Sequence, residues 1–142
     1  MAMALQKARE AAAAEETPIG AVVVRNGEVI AAARNEREQL SDITAHAELI
    51  AVREAARRIG DWRLGDCTVY VTLEPCPMCA GALLASRVGR VVFGAKDPVA
   101  GAMGSVLNLP RYPLGSKPTV TVGVLEEECC RVLQEFFCAR RG

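Results

Sequence analysis

Cys67-Thr68-Val69-Tyr70-Val71-Thr72-Leu73-Glu74-Pro75-Cys76-Pro77-Met78-Cys79 opens the stretch that decides the fold. Its first seven residues are largely β-branched, aromatic or apolar and predict a strand. Pro77 fits the first position of a helix, where no N–H is needed, and Pro77 to Ser86 continues as one. Arg90-Val91-Val92-Phe93-Gly94 then predicts a short buried strand. Strand, helix and strand in that order make a βαβ crossover, which requires a parallel strand pair with a helix on its face.

Working outward, residues 2–16 are nearly all strong helix formers, and Thr17-Pro18 ends the segment because the residue before proline avoids the helical region. Two strands, Ile19 to Arg25 and Glu28 to Arg34, are joined by Asn26-Gly27, residues that tolerate the positive φ of a type I′ hairpin turn. From Ala45 to Ile59 the residues Ala47, Ile50, Ala51, Ala55 and Ile59 recur with helical spacing, with Thr44 as the expected N-cap and Gly60 as the stop. Pro98 to Pro118 is rich in glycine and proline and predicts an irregular loop with one helical turn near Val106-Leu107. Thr119 to Val124 supplies a fifth strand. Glu126 to Arg140 supplies a last helix with acid at its start and Arg140-Arg141 at its end, as the macrodipole prefers. The sum is an α/β domain spanning 1–142, a five-stranded mixed sheet between helices, without an internal repeat.

The chain has 142 residues, 51% of them apolar and 24% charged, the profile of one ordinary globular domain. Apolar runs such as Ala80 to Ala85 are too short to span a membrane, and the N-terminus lacks the order of regions of a secretory signal, so a cytoplasmic location is expected. Seventeen basic residues balance seventeen acidic ones, and the overall field draws neither nucleic acid nor anionic membrane. Any polyanion must be held by a local patch. Six cysteines without a secretory signal, two of them in Cys-x-x-Cys, point to metal or redox work rather than a disulfide framework.

His46-Ala47-Glu48 and Pro75-Cys76-Pro77-Met78-Cys79 each stand at a predicted helix start, and His46 is the sole histidine. Cys76 and Cys79 share one face of a first helical turn, where the positive dipole end favours thiolates. One imidazole and two thiolates are three zinc ligands, whereas structural zinc sites close with four, so a fourth position is left for water, whose pKa zinc lowers toward about 7. Glu48 lies about 200° around the helix from His46, badly placed as a ligand beside it but within reach of that water. Removing an amine from an aromatic carbon takes hydroxide attack, protonation of a ring nitrogen and proton delivery to ammonia, and Glu48 is the candidate for each transfer. H-x-E followed by P-C-x-x-C is the established signature of the zinc nucleobase deaminases. The Cys-x-x-Cys alone also fits a redox site, and a lone helical histidine also fits a satisfied core residue. Cys67, Cys129, Cys130 and Cys138 lack the spacing of this site and are expected to be small buried apolar residues without a role.

Beyond these motifs, the chain resembles the bacterial tRNA-specific adenosine deaminase family over nearly its whole length. The likeness runs through Thr17-Pro18-Ile19-Gly20-Ala21-Val22, Asp42 to Glu48, Tyr70 to Ala82, Ser86 to Asp97, Gly101-Ala102-Met103-Gly104-Ser105 and the Phe136-Phe137 pair before a basic terminus. The resemblance implies a three-layer α/β/α cytidine-deaminase-like fold, a homodimer, one Zn2+ per subunit, and hydrolysis of the wobble adenosine of a tRNA anticodon stem-loop to inosine with release of ammonia. It implies His46, Cys76 and Cys79 as metal ligands, Glu48 as proton shuttle, Asn35 as a side chain that binds the nucleotide, and the Ala47 N–H as a contact to the base. Two departures bear on RNA: Val99 stands where the family often has lysine, and Gly115-Ser116 where it has an Asn-His pair. Lys96, Arg111, Lys117, Arg140 and Arg141 remain as candidate phosphate contacts, each singly an ordinary solvated charge and together able to form a groove. Phe136 and Phe137 are candidates to reach a base or the dimer seam, with at least one expected in the core.

Three functions compete at this point. The first is deamination of adenosine held in an RNA loop, with weak activity on single-stranded DNA. The second is deamination of free guanine, cytosine or a nucleoside such as cytidine in nucleotide salvage. The third is a non-catalytic, zinc-stabilised RNA-binding subunit, disfavoured by the presence of Glu48.

Overall fold

The computed structural model describes residues 1–141, the side chain of Arg141 excepted. The elements are α1 (Ala2–Ala13), β1 (Gly20–Arg25), β2 (Glu28–Arg34), a one-turn α2 (Arg37–Leu40), α3 (Ala47–Ile59), β3 (Cys67–Leu73), α4 (Pro77–Ala85), β4 (Arg90–Ala95), a 3-10 turn (Leu109–Arg111), β5 (Thr119–Val122) and α5 (Glu126–Arg141). One sheet runs in the order β2-β1-β3-β4-β5. β1 pairs antiparallel with β2 and β3, while β3, β4 and β5 run parallel. The βαβ crossover through α4 and the five-stranded mixed sheet are both present. Asn26 and Gly27 both have positive φ, 51° and 75°, as the hairpin turn requires.

Strand residues alternate between two apolar layers, as the pleat dictates. Ala21, Val23, Val69, Val71, Val91 and Phe93 pack with Ala47, Ala51, Ala55 and Leu83 of α3 and α4. On the other face Leu5 of α1 and Cys129 of α5 meet Ala95. Helices therefore cover both faces, giving the three layers. Alanines let α1 lie close on the sheet: a Cβ on Gly20 would land on the Ala4 carbonyl oxygen. Among the described residues no helix is long and apolar enough to cross a membrane.

Three local expectations differ from the structure. The first helix stops at Ala13, because Glu15 turns to φ 62° and the N–H groups of Glu15 and Glu16 return to the Ala12 and Ala11 carbonyls, a Schellman closure. That closure aims the buried Glu16 carboxylate at α2, where it accepts the Glu38 and Gln39 N–H groups at 3.0 and 2.7 Å. Thr44 does not cap α3; its N–H and hydroxyl both bond Asp42 Oδ1 at 2.8 and 2.7 Å, an Asx turn, and the cap position belongs to His46. The turn in the 98–118 segment forms at Leu109–Arg111 rather than at Val106-Leu107, whose N–H groups are taken by the Gly101 carbonyl.

Candidate metal centre

His46 and Cys76 occupy equivalent places, each the extended residue just ahead of a helix, α3 and α4. For Cys76 the cause is local, since the residue before Pro77 is barred from the helical region. Cys79, one turn into α4, is fully buried. The fold brings these starts together so that His46 Nδ1 stands 3.7 Å from Cys76 Sγ and 3.4 Å from Cys79 Sγ. All three ligand atoms lie within 4.8 Å of one another. A tetrahedral ion with bonds of about 2.3 Å to sulfur and 2.0 Å to nitrogen places S and N about 3.5 Å apart, so the donor set has the size and chemistry that zinc requires.

The thiols share a hydrogen bond that holds Cys76 far below the ordinary range, to about 4, against the opposing effect of burial, and His46 adds to the lowering. The same bond, followed by burial, pushes Cys79 up. His46 is raised by its bond to Cys76, burial opposing and the Glu48 charge assisting. One thiolate beside a protonation-prone imidazole is the state from which a cation displaces protons.

Glu48, the second residue of α3, is buried to 4% exposure, and its Oε1 is fully shielded with no hydrogen-bond partner. Burial pushes this carboxyl up to about 6, against a backbone N–H and the neighbouring His46, which pull it down. Asn35, just past β2, is also buried at 4%, its N–H bonded to the Ile19 carbonyl at 3.0 Å. Ala47 is fully buried at the first position of α3, where helix N–H groups lack intrahelical acceptors.

The basic residues are not gathered into one groove. Lys96, Arg111, Lys117 and Arg140 are exposed and line four different depressions. Lys96 follows the end of β4 whereas Lys117 precedes the start of the parallel β5, at the opposite end of the sheet. The Arg141 side chain lies outside the described residues. Arg140 Nη2 donates to the Glu15 carbonyl at 2.8 Å, with its guanidinium 4.3 Å from the Phe136 ring centre. Neither phenylalanine is core: Phe136 is half-buried, Phe137 is 45% exposed, and the two rings meet edge to face. With Arg37, Gln39 and Arg140 they border an open cleft of about 830 Å3 whose walls exclude the His-Cys-Cys cluster. Cys67 and Cys129 are buried as expected, but Cys130 is only half-buried and Cys138 on α5 is exposed.

Sequence reasoning missed Glu16 and Glu74. Both are buried carboxylates that close on backbone N–H groups far along the chain. The one signal for Glu74 is an acid directly after an uncharged strand.

Fold and cluster together define a deaminase: the MafB19-like deaminase family model matches residues 1–141, and the chain belongs to that family. Within this class it is similar to the tRNA-specific adenosine deaminase of Bacillus subtilis, 50% identical over 138 residues that cover 96% of this chain and 86% of the relative. It is 45% identical to the chloroplastic tRNA(adenine(34)) deaminase of Arabidopsis thaliana, covering 99% of this chain but only 12% of that much longer relative. Among solved structures, one from a study of A-to-I editing by tRNA:A34 deaminases superposes with a TM-score of 0.91 at 42% identity, over 94% of this chain and 97% of the other. The resemblance drawn from the motifs is borne out.

Proposed function

We propose that this chain, acting as one deaminase domain over 1–142, hydrolyses the 6-amino group of the wobble adenosine in a tRNA anticodon loop to give inosine and ammonia. The observation that carries the reading is the buried, partnerless Oε1 of Glu48 beside His46, Cys76 and Cys79. A buried carboxylate oxygen without a donor is costly to a fold, and such exceptions mark sites completed by water or ligand. His46, Cys76 and Cys79 would hold one zinc ion per subunit. Zinc so held supplies a hydroxide-strength nucleophile at neutral pH and polarises the reacting centre.

Glu48 takes a proton from the attacking water and gives it to ring nitrogen N1 as the new C6–O bond forms. The remaining hydroxyl proton then passes through the same carboxylate to the amine, which leaves as ammonia while the C6–O bond becomes a carbonyl. A carboxyl pushed up to about 6 by burial suits both directions of transfer near neutral pH. Asn35 holds the nucleotide by its side chain and the Ala47 N–H contacts the base. The unpaired loop base is splayed into the pocket at small unstacking cost, and only sugar contacts separate RNA from DNA, so single-stranded DNA is a weak substrate. Phosphates are met by subsets of Lys96, Arg111, Lys117, Arg140 and Arg141 rather than by a continuous groove. The protein works as a homodimer in the cytoplasm, where its thiols stay reduced.

The test is mass-spectrometric detection of inosine after incubation of zinc-loaded protein with an anticodon stem-loop, with free adenosine, cytidine and guanine in parallel. Inosine confined to the stem-loop is expected. Turnover of a free base or nucleoside alone overturns the RNA assignment in favour of a salvage enzyme. Zinc content with no turnover of any purine or pyrimidine overturns the enzyme reading.

A further inference from the structure

We infer that Glu74 is a positioning residue for the thiolate pair, locking the loop of residues 97–105 onto the Pro75–Cys76 turn so that Cys76 is presented in one geometry. The inference rests on the metal reading of His46, Cys76 and Cys79. Glu74 directly follows β3 at 2% exposure, with its N–H bonded to the Ala95 carbonyl at 2.8 Å. Both carboxylate oxygens are saturated by that one loop. Oε1 accepts the Asp97 N–H at 3.1 Å and the Ser105 hydroxyl, while Oε2 accepts the N–H groups of Met103 and Ser105 at 3.0 and 3.1 Å. The loop answers with a bond of its own, the Ala102 N–H to the Pro75 carbonyl at 2.9 Å, on the residue immediately before Cys76.

The loop is stiffened and shaped for this contact. Asp97 Oδ1 accepts the N–H groups of Val99 and Ala100 at 3.0 and 3.2 Å. Gly101 passes so close to the carboxylate that a Cβ there would overlap Glu74 itself. Charge-assisted bonds to four donors, three of them backbone, are stronger than neutral ones and hold the segment in one geometry. Pro75 is thus held on one side by Glu74 and on the other by Ala102, and Cys76 inherits that orientation. Groups that orient metal ligands through a second layer of hydrogen bonds typically change metal affinity 10–100-fold when altered. A glutamine at 74 keeps the shape but turns an NH2 toward one pair of donors, whichever way its amide lies.

Cobalt(II), added alone to the full chain, is the probe, since thiolate–cobalt charge-transfer absorption reports the ligand geometry without substrate. Glu74→Gln should weaken cobalt binding roughly 10–100-fold and shift or weaken that absorption. Ser105→Ala, which removes a single donor, should do so by a smaller factor, and it decides the question if circular dichroism shows Glu74→Gln unfolded. Leu64→Ala, a core truncation below the other end of β3, should lower thermal stability yet leave cobalt affinity unchanged. Cobalt affinity and spectrum unaltered in a folded Glu74→Gln, or in Ser105→Ala where the first is unfolded, overturn the inference. So does an equal affinity loss in Leu64→Ala, which would mean general loosening. Absence of thiolate absorption in the unsubstituted chain overturns the metal reading, and the inference with it.

Discussion

Glu48 and Glu74 are both buried carboxylates two residues from a cysteine or histidine of the same cluster, and their surroundings are opposite. Around Glu74, four donors from one loop outweigh the upward push of burial and hold its carboxyl below the ordinary range. Around Glu48, burial prevails, the carboxyl rises to about 6, and one oxygen is left without a partner. Burial alone therefore does not decide what a carboxylate does. The saturated one holds a loop, and the unsaturated one is the proton carrier of the proposed mechanism.

The largest expected effect breaks the comparison at its reactive end. Glu48→Gln should lower kcat/KM on the stem-loop by about 10^2- to 10^4-fold while bound zinc and thermal stability are retained. Metal analysis alongside the inosine assay checks this, and near-normal turnover with zinc in place would remove Glu48 from the mechanism. Next comes the structural end. Gly101→Ala drives a methyl group into the Glu74 carboxylate and should cost about 1–3 kcal/mol in urea unfolding. Its counterpart is Gly81 in α4, where an added Cβ meets nothing within 4 Å. Gly81→Ala should stabilise the fold by about 0.5–1 kcal/mol through helix propensity, and equal effects at the two glycines would dissolve the contrast.

The smallest effect concerns thiols outside the cluster. Burial pushes Cys67 and Cys129 up to about 11, with neighbouring negative charge adding, so at pH 8 only about one in a thousand is thiolate. The shift is upward, so reactivity rises only as pH climbs toward 11. Among the thiols outside the cluster, exposed Cys138 should react first with iodoacetamide in peptide mass mapping, while Cys67 and Cys129 stay unmodified near neutral pH.

Most of the architecture was legible in the sequence because it is written locally. A β-branched and apolar run marks β3, Asn26-Gly27 marks the hairpin of β1 and β2, and Pro77 marks the start of α4. The candidate metal centre is legible for the same reason: His46 is the sole histidine, and Cys76 and Cys79 lie one turn apart on either side of a proline that disfavours a helical conformation at Cys76. Element ends were less legible where a side chain from elsewhere intervenes. The Ala13 stop comes with a Schellman closure whose Glu16 carboxylate is taken up by α2, and Thr44 is lost as a cap to Asp42.

The sequence by itself determined the order of the main strands and helices, the parallel crossover and the three residues of the candidate metal centre, since each shows in local composition, spacing or motif. Only the tertiary structure decided which buried acid is satisfied and which is not, because the donors that saturate Glu74 and Glu16 come from segments more than twenty residues away. It also decided that the basic residues line separate depressions and that Phe136 and Phe137 border an open cleft rather than the core. Hydrogen bonds and charge groupings made across such distances carry no period in the chain, whereas backbone propensity and the apolar repeat do.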